Sequence, residues 1–188
     1  MATDRFRAEL RALASRDELT GLPNRRSFYE QLKLCEESVE NRNKTAAVLM
    51  IDLDRFKAIN DRFGHAAGDA AIIHVAKVAS GEIRNHDVLA RLGGDEFCIL
   101  MPNTDLEAAS IIAKRLNEAI TSTPLIHDGN LIPISASIGL AQWQPDTELG
   151  LMETLDQADT AMFGTKRNGR DGLTVFDGRV ALERSGEV

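Results

Sequence analysis

Asp87-Val88-Leu89-Ala90-Arg91-Leu92-Gly93-Gly94-Asp95-Glu96-Phe97-Cys98-Ile99-Leu100-Met101 is the stretch that decides the fold. Its halves, 87–92 and 96–101, are apolar-rich runs separated by two glycines. A Gly-Gly pair suits the primed two-residue turns, in which φ must be positive. The stretch therefore predicts a β-hairpin, and a hairpin inside the chain argues against an all-parallel, doubly wound sheet.

Upstream, Ala46-Ala47-Val48-Leu49-Met50-Ile51 is a continuous apolar run that reads as a strand buried on both faces and stops abruptly at Asp52. A turn at 20–24 and a helix over 26–40 precede it. Between this strand and the hairpin, Gly64 and Gly68 punctuate the chain before an amphipathic helix over 70–82, with Ile72, Val75, Ala76 and Ala79 on one face. Downstream, a helix is expected over 106–120. A strand follows with Ile134, Ala136, Ile138 and Leu140 facing one way and Ser135, Ser137 and Gly139 the other. A helix over 149–166 and a strand over 173–176 finish the pattern. The order implies an α/β domain of the α+β kind: palm-like and ferredoxin-related, with a central mixed sheet, the β-hairpin, and flanking helices mainly on one face. Residues 1–16 read as a helical stub or linker, with Phe6, Leu10 and Leu13 in a narrow stripe, 17–178 as the domain, and 179–188 as a tail.

The 188 residues carry a formal net charge of −7, with 43% hydrophobic and 27% charged side chains. No basic run is present, so polymeric nucleic acid is not an expected partner. No apolar run approaches the ~20 residues that span a bilayer, and residues 1–20 lack the apolar core of a signal peptide. Cys35 and Cys98 form no CxxC pair and read as reduced thiols of a cytoplasmic protein. An acidic chain that handles a polyphosphate must neutralise it locally, with a metal ion or a few placed cations.

The acids suggest where. Asp52 and Asp54 lie two apart at the end of the buried strand, so both side chains can project to one side. Asp95 and Glu96 follow the two glycines. Taken singly, such acids cap turns or sit in solvent. Taken together, two clusters of hard oxygen donors at strand ends suit Mg²⁺, with phosphates as its remaining ligands. Glycines at the turn also let a nucleotide lie close to the backbone. Strict alternation sends Asp95 and Glu96 to opposite faces, so a shared site requires a twisted or bulged hairpin tip.

Gly93-Gly94-Asp95-Glu96-Phe97 resembles the signature of the GGDEF family of diguanylate cyclases. Asp17-Glu18-Leu19-Thr20-Gly21-Leu22-Pro23-Asn24-Arg25-Arg26 is similar to that family's opening motif. Asp52-Leu53-Asp54-Arg55-Phe56-Lys57, Asn60-Asp61, Gly64-His65 and Gly68-Asp69 resemble its nucleotide-binding segment. Ser137-Ile138-Gly139 and the stretch from Ala158-Asp159 through Lys166, Gly169 and Arg170 resemble its closing segments. The likeness covers about 16–177.

The resemblance implies condensation of two GTP into cyclic di-GMP on a homodimer, with two Mg²⁺ per site and Mn²⁺ as a possible substitute. It implies Asp52, the Leu53 backbone carbonyl, Asp95 and Glu96 as metal ligands. Asp95, Glu96 and Lys57 would be catalytic, with Asp95 and Glu96 not separable as the proton acceptor. Phe56, Asn60, His65, Asp69, Gly93, Gly94, Lys166 and Arg170 would bind GTP, Asn60 and Asp69 reading guanine and the two cations taking phosphates. Lys166 and Arg170 are also spaced i, i+4, which could place them on one helix-end face. Arg84-Asn85-His86-Asp87 fits the family's Arg-x-x-Asp inhibitory site for cyclic di-GMP, although alone such a pair is more often a helix-end charge pair. Two departures stand out. Thr165 replaces the family's usual Ala, and Asp171, where Asn is frequent, puts a negative charge beside Arg170. The alternative reading is a catalytically silent module that binds GTP or cyclic di-GMP as an effector; intact acids and glycines weigh against it.

Overall fold

The computed structural model describes residues 15–40, 44–145 and 147–177. The expected tail over 179–188 and most of the expected helix over 4–16 lie outside the described residues; Arg16 itself is bridged to Pro23. In chain order the elements are α1 (Arg25–Glu40), β1 (Ala46–Leu53), α2 (Phe56–Phe63), α3 (His65–Glu82), β2 (Val88–Gly93), β3 (Glu96–Pro102), α4 (Leu106–Ser122), β4 (Leu125–His127), β5 (Asn130–Ile132), β6 (Ala136–Trp143), α5 (Leu151–Arg167) and β7 (Gly172–Val175).

Five strands form one mixed sheet in the order β2-β3-β1-β6-β7. Only β6 and β7 run parallel; the other neighbours are antiparallel. β1 lies at the centre with every residue buried, as its unbroken apolar run demands. Its odd residues, Ala47, Leu49, Ile51 and Leu53, share a core with Ile72 and Val75 of α3 and Ile112 and Leu116 of α4. Its even residues, Ala46, Val48 and Met50, pack with Phe28 and Leu32 of α1 and Leu155 and Met162 of α5.

Helices therefore cover both faces of the sheet, where the sequence reading placed them mainly on one. The cause is visible in β6. Ser137 is fully buried, and a Cβ on Gly139 would stand 2.0 Å from the Ala158 carbonyl oxygen and 2.2 Å from the Met162 nitrogen. Small residues that read as a polar face are the seat on which α5 lies directly against the strand. Two further elements escape the sequence reading. Residues 56–63 form the short helix α2, separated from α3 by Gly64 at φ 87°. Asp128-Gly129, both at positive φ, turn a small hairpin of β4 and β5.

Cys35 and Cys98 are buried and unpaired, and burial pushes the Cys35 thiol up to about 11. Both side chains fill the core shared with α1 and α5. No helix among the described residues is long and apolar enough to cross a membrane.

Candidate active site

The site grows from the end of β1. Asp52 stands opposite Glu96 of β3 and Ser137 of β6. Its even position turns it toward the α5 face, and Lys166 Nζ lies 2.8 Å from Oδ2. Next along, the Leu53 N–H donates to the Asp95 carbonyl at 3.2 Å, tying the residue after the diglycine turn to the strand end. Burial raises the Asp52 carboxyl above the ordinary carboxylate range. The Lys166 hydrogen bond pulls it back, and the charges of Asp95 and Glu96 push it up again. Both hairpin acids thus act on Asp52.

Strand alternation asks for an irregular hairpin tip, and the tip is irregular. Gly93 and Gly94 take φ of 137° and 54°, and the β2–β3 register slips between Arg91↔Phe97 and Gly93↔Glu96. The extra residue, Leu92, is a β-bulge on β2 beside the turn. Arg25 reaches toward the same place, its Nη2 3.9 Å from Glu96.

Among the described residues, no three His, Cys, Asp or Glu side chains converge as a closed metal cage. The donor chemistry nonetheless fits a hard divalent cation. Mg²⁺ commonly takes only one or two carboxylates and fills its octahedron with water and phosphate oxygens. Here Asp52 pairs across the sheet with Glu96, the next residue along bonds the Asp95 carbonyl, and Lys166 is drawn onto Asp52.

The nucleotide-binding segment lies on α2 and α3. A Cβ on Gly68 would sit 1.9 Å from Asn60 Oδ1 and 3.2 Å from Phe56 Cζ. The missing side chain lets Phe56 and Asn60 lie against the backbone just before Asp69, so these two sequence-selected residues come together at Gly68. Asp69, His65 and Lys57 are exposed near them along these helices.

One expectation about the end of α5 changes. The helix stops at Arg167, and Gly169, Arg170 and Asp171 follow with φ of 114°, 67° and 45°. Lys166 and Arg170 therefore do not share a helical i, i+4 face; Arg170 is presented by a left-handed turn. The Asp171 carboxylate turns to α4 and accepts the Thr121 hydroxyl at 2.9 Å. Thr165 is buried and donates to the Ile138 carbonyl at 2.8 Å.

At the Arg-x-x-Asp segment, the Arg84 N–H donates to Asp87 Oδ2 at 2.9 Å, and the Asp87 N–H to the Arg84 carbonyl at 3.0 Å. Asp87 is a turn cap with a buried carboxylate, not the ion-pair partner of the exposed Arg84 side chain. Among the described residues its Oδ1 has no hydrogen-bond donor; His86 Nε2, at 3.7 Å, is too distant to serve.

The sequence reading gave Arg91 no role. Its Nη1 donates to both Asp17 oxygens at 3.0 Å, and its Nη2 and Nε donate to the Gly94 carbonyl at 2.7 and 3.0 Å. The opening motif is thereby clamped to the hairpin tip. No local pattern announces a contact between residues 74 positions apart. A cavity of about 720 Å³ lies beside this clamp, lined by Arg25, Tyr29 and Arg91 and by none of Asp52, Asp95 and Glu96. Volume alone does not mark the chemistry.

With this geometry in hand, comparisons with known proteins carry weight. The family described as diguanylate cyclase, GGDEF domain, matches residues 14–172. The probable diguanylate cyclase DgcE of Escherichia coli is 41% identical over 172 residues, which make up 92% of this chain and 16% of that protein. Diguanylate cyclase A of Treponema denticola is 35% identical over 172 residues, 89% of this chain and 46% of that one. The chain thus spans less than half the length of these relatives. Among solved structures, the coiled coil and GGDEF domain of DgcB from Caulobacter crescentus, in complex with c-di-GMP, matches with a TM-score of 0.84 at 28% identity and covers 93% of both chains. The chain belongs to the GGDEF-domain family of diguanylate cyclases.

Proposed function

We propose that this domain condenses two GTP molecules into cyclic di-GMP and releases two pyrophosphates. The observation that carries the reading is the pairing of Asp52, at the end of the central strand, with Glu96 across the sheet and with Lys166, while its neighbour Leu53 bonds the Asp95 carbonyl. Asp52, the Leu53 carbonyl, Asp95 and Glu96 would hold two Mg²⁺, for which Mn²⁺ can substitute. Such ions make a hydroxyl more acidic and offset charge on the attacking and leaving oxygens.

The chain's own groups supply the rest. Asn60 and Asp69 read the guanine edge, with Phe56 and His65 lining its pocket, and Gly93 and Gly94 leave room for the nucleotide against the backbone. Lys57, Lys166 and Arg170 meet the phosphates. The 3′-oxygen of one GTP attacks the α-phosphorus of the other. A new phosphodiester bond forms, the α–β anhydride bond breaks, and the electron pair departs with pyrophosphate. Asp95 or Glu96 accepts the 3′-hydroxyl proton. One domain presents one GTP, so two copies face each other across a twofold axis, and the step occurs twice to close the ring. GTP as substrate places the activity in the cytoplasm. Asp87 Oδ1, lacking a donor beside exposed Arg84, supports a second site where the product binds and inhibits.

The test is incubation of the purified protein with GTP and Mg²⁺ at several protein concentrations, with identification of the product and measurement of pyrophosphate. Cyclic di-GMP is expected, with specific activity rising as the protein dimerises. Glu96→Gln should lower turnover by about a hundredfold or more while the protein stays folded. GTP binding without any product would favour the silent module, and equal turnover of ATP would remove Asn60 and Asp69 as guanine readers. Arg84→Ala should abolish non-competitive inhibition by added cyclic di-GMP; an unchanged inhibition curve would remove Arg84 and Asp87 from that role.

A further inference from the structure

Asp54 is the first residue beyond β1 and is buried, 8% exposed. Its carboxylate accepts three hydrogen bonds. Ser137 Oγ donates to Oδ1 at 2.7 Å; Ser135 Oγ and the Asp171 N–H donate to Oδ2 at 3.0 and 2.9 Å. The Asp54 N–H in turn donates to the Ser135 carbonyl at 2.9 Å. A single side chain joins the end of the central strand, the start of β6 and the turn after α5. Among the described residues it has no ion-pair partner, in contrast to Asp52 two residues earlier, which faces Lys166.

The turn that Asp54 grips is conformationally costly. Arg170 and Asp171 are non-glycine residues in succession at φ of 67° and 45°, a region that L residues avoid and that persists only where surrounding bonds over-determine it. Those bonds are present. The Arg170 N–H donates to the Thr165 carbonyl at 3.0 Å, the Asp171 carboxylate accepts from Thr121, and Thr165 ties the helix end to β6 and, at 2.8 Å, to Thr174 of β7. The Asp54 bond links this turn to the end of β1, and the Lys166–Asp52 pair links the end of α5 to the same strand.

We infer that Asp54 is a positioning residue for phosphate binding: it fixes the 168–171 turn so that Arg170 stands at a set distance from Lys166, at the end of α5, and from Asp52. This rests on the proposed cyclase reading, in which those two cations meet the GTP phosphates. Thr165 and Asp171, the two departures from the family's usual residues, belong to the same lock and leave the site intact.

The experiment is a titration of Mg²⁺-pyrophosphate, GTP and guanosine onto wild type, Asp54→Ala and Asp54→Asn, each checked by thermal melting. Asp54→Ala should weaken pyrophosphate and GTP by about tenfold or more, the worth of one charged hydrogen bond or greater, and leave guanosine within about twofold by the same measure. Asp54→Asn keeps an acceptor oxygen and should recover most of the loss. A purely structural role would depress all three ligands together and follow the melting temperature. Unchanged pyrophosphate affinity in Asp54→Ala, or equal losses for pyrophosphate and guanosine, overturns the inference. If Asp54→Ala does not fold, Ser135→Ala removes one donor from the same oxygen that holds Asp171. It should weaken pyrophosphate by about threefold with guanosine unaffected, and an unaltered pyrophosphate affinity would then overturn it. These binding readouts need no turnover. A wild-type protein that binds GTP but makes no product would therefore defeat the cyclase reading separately.

Discussion

Asp17 and Asp52 each face one cation at largely buried side chains, yet their carboxyls move in opposite directions. For Asp17, burial alone would raise the carboxyl, but hydrogen bonds from the Thr20 hydroxyl, Arg91 and the Thr20 N–H outweigh it and hold it below the usual range. For Asp52, burial is the largest influence, and Lys166 only partly offsets it because Asp95 and Glu96 repel. Charge partners are matched, one arginine against one lysine. The difference is that Asp17 is surrounded by donors and Asp52 by other acids. The first arrangement is finished, and its energy goes into holding the opening motif against the hairpin tip. The second is left in tension that an incoming cation would relieve. Acids raised by burial and by other acids, the second kind, are where a site is to be sought.

The sharpest way to break the comparison is Asp52→Asn. Turnover should fall by about a thousandfold, the largest effect expected of any substitution here, with the metal-free protein melting no lower than wild type and higher at neutral pH. The sign follows from the raised carboxyl. Stability linked to Asp52 is fully present below the ordinary value of about 4 and is lost as pH rises through the raised folded value. At pH 7 the ionised group is a cost that Asn removes. Lys166 keeps 27% of its side chain exposed and can turn to water. Melting scans without metal or nucleotide decide the matter. A drop of several degrees in Asp52→Asn would make Asp52 as structural as Asp17.

What the sequence discloses follows the same division. The hairpin, the central strand and the acids at its end are legible because each is written locally: a Gly-Gly turn, an apolar run, carboxylates two apart. Even the need for a bulge at the tip can be argued from alternation, and Leu92 supplies it. The rest depends on partners distant in the chain. Ser135, Ser137 and Gly139 alternate with the apolar residues, and only the arrival of α5 buries Ser137 and Gly139 while Asp54 takes up both serine hydroxyls. α2 has eight residues with a single buried one, Ile59, too short for a periodic signal. Asp54 looks equivalent to Asp52 until Ser135, Ser137 and Asp171 come to it, and Arg91 looks like any charged strand residue until Asp17 does.

A smaller effect sharpens the contrast from the other end. Asp17→Asn keeps an oxygen for Thr20 but loses the charge that Arg91 pairs with. At neutral pH it should lower stability by about 1–2 kcal/mol, a melting shift of a few degrees. The pH trend must run opposite to that of Asp52. A depressed carboxyl contributes stability that is present above about pH 4 and is lost as pH falls through the folded value. The gap between wild type and Asp17→Asn should therefore be widest near neutrality and close in acid, because protonation makes the wild-type group resemble the amide. A gap that stays constant down to pH 3, in melts where both proteins still fold cooperatively, would mean that Asp17 acts through its shape and not its charge. The two aspartates would then differ in packing alone, and charge would no longer separate the clamp from the site.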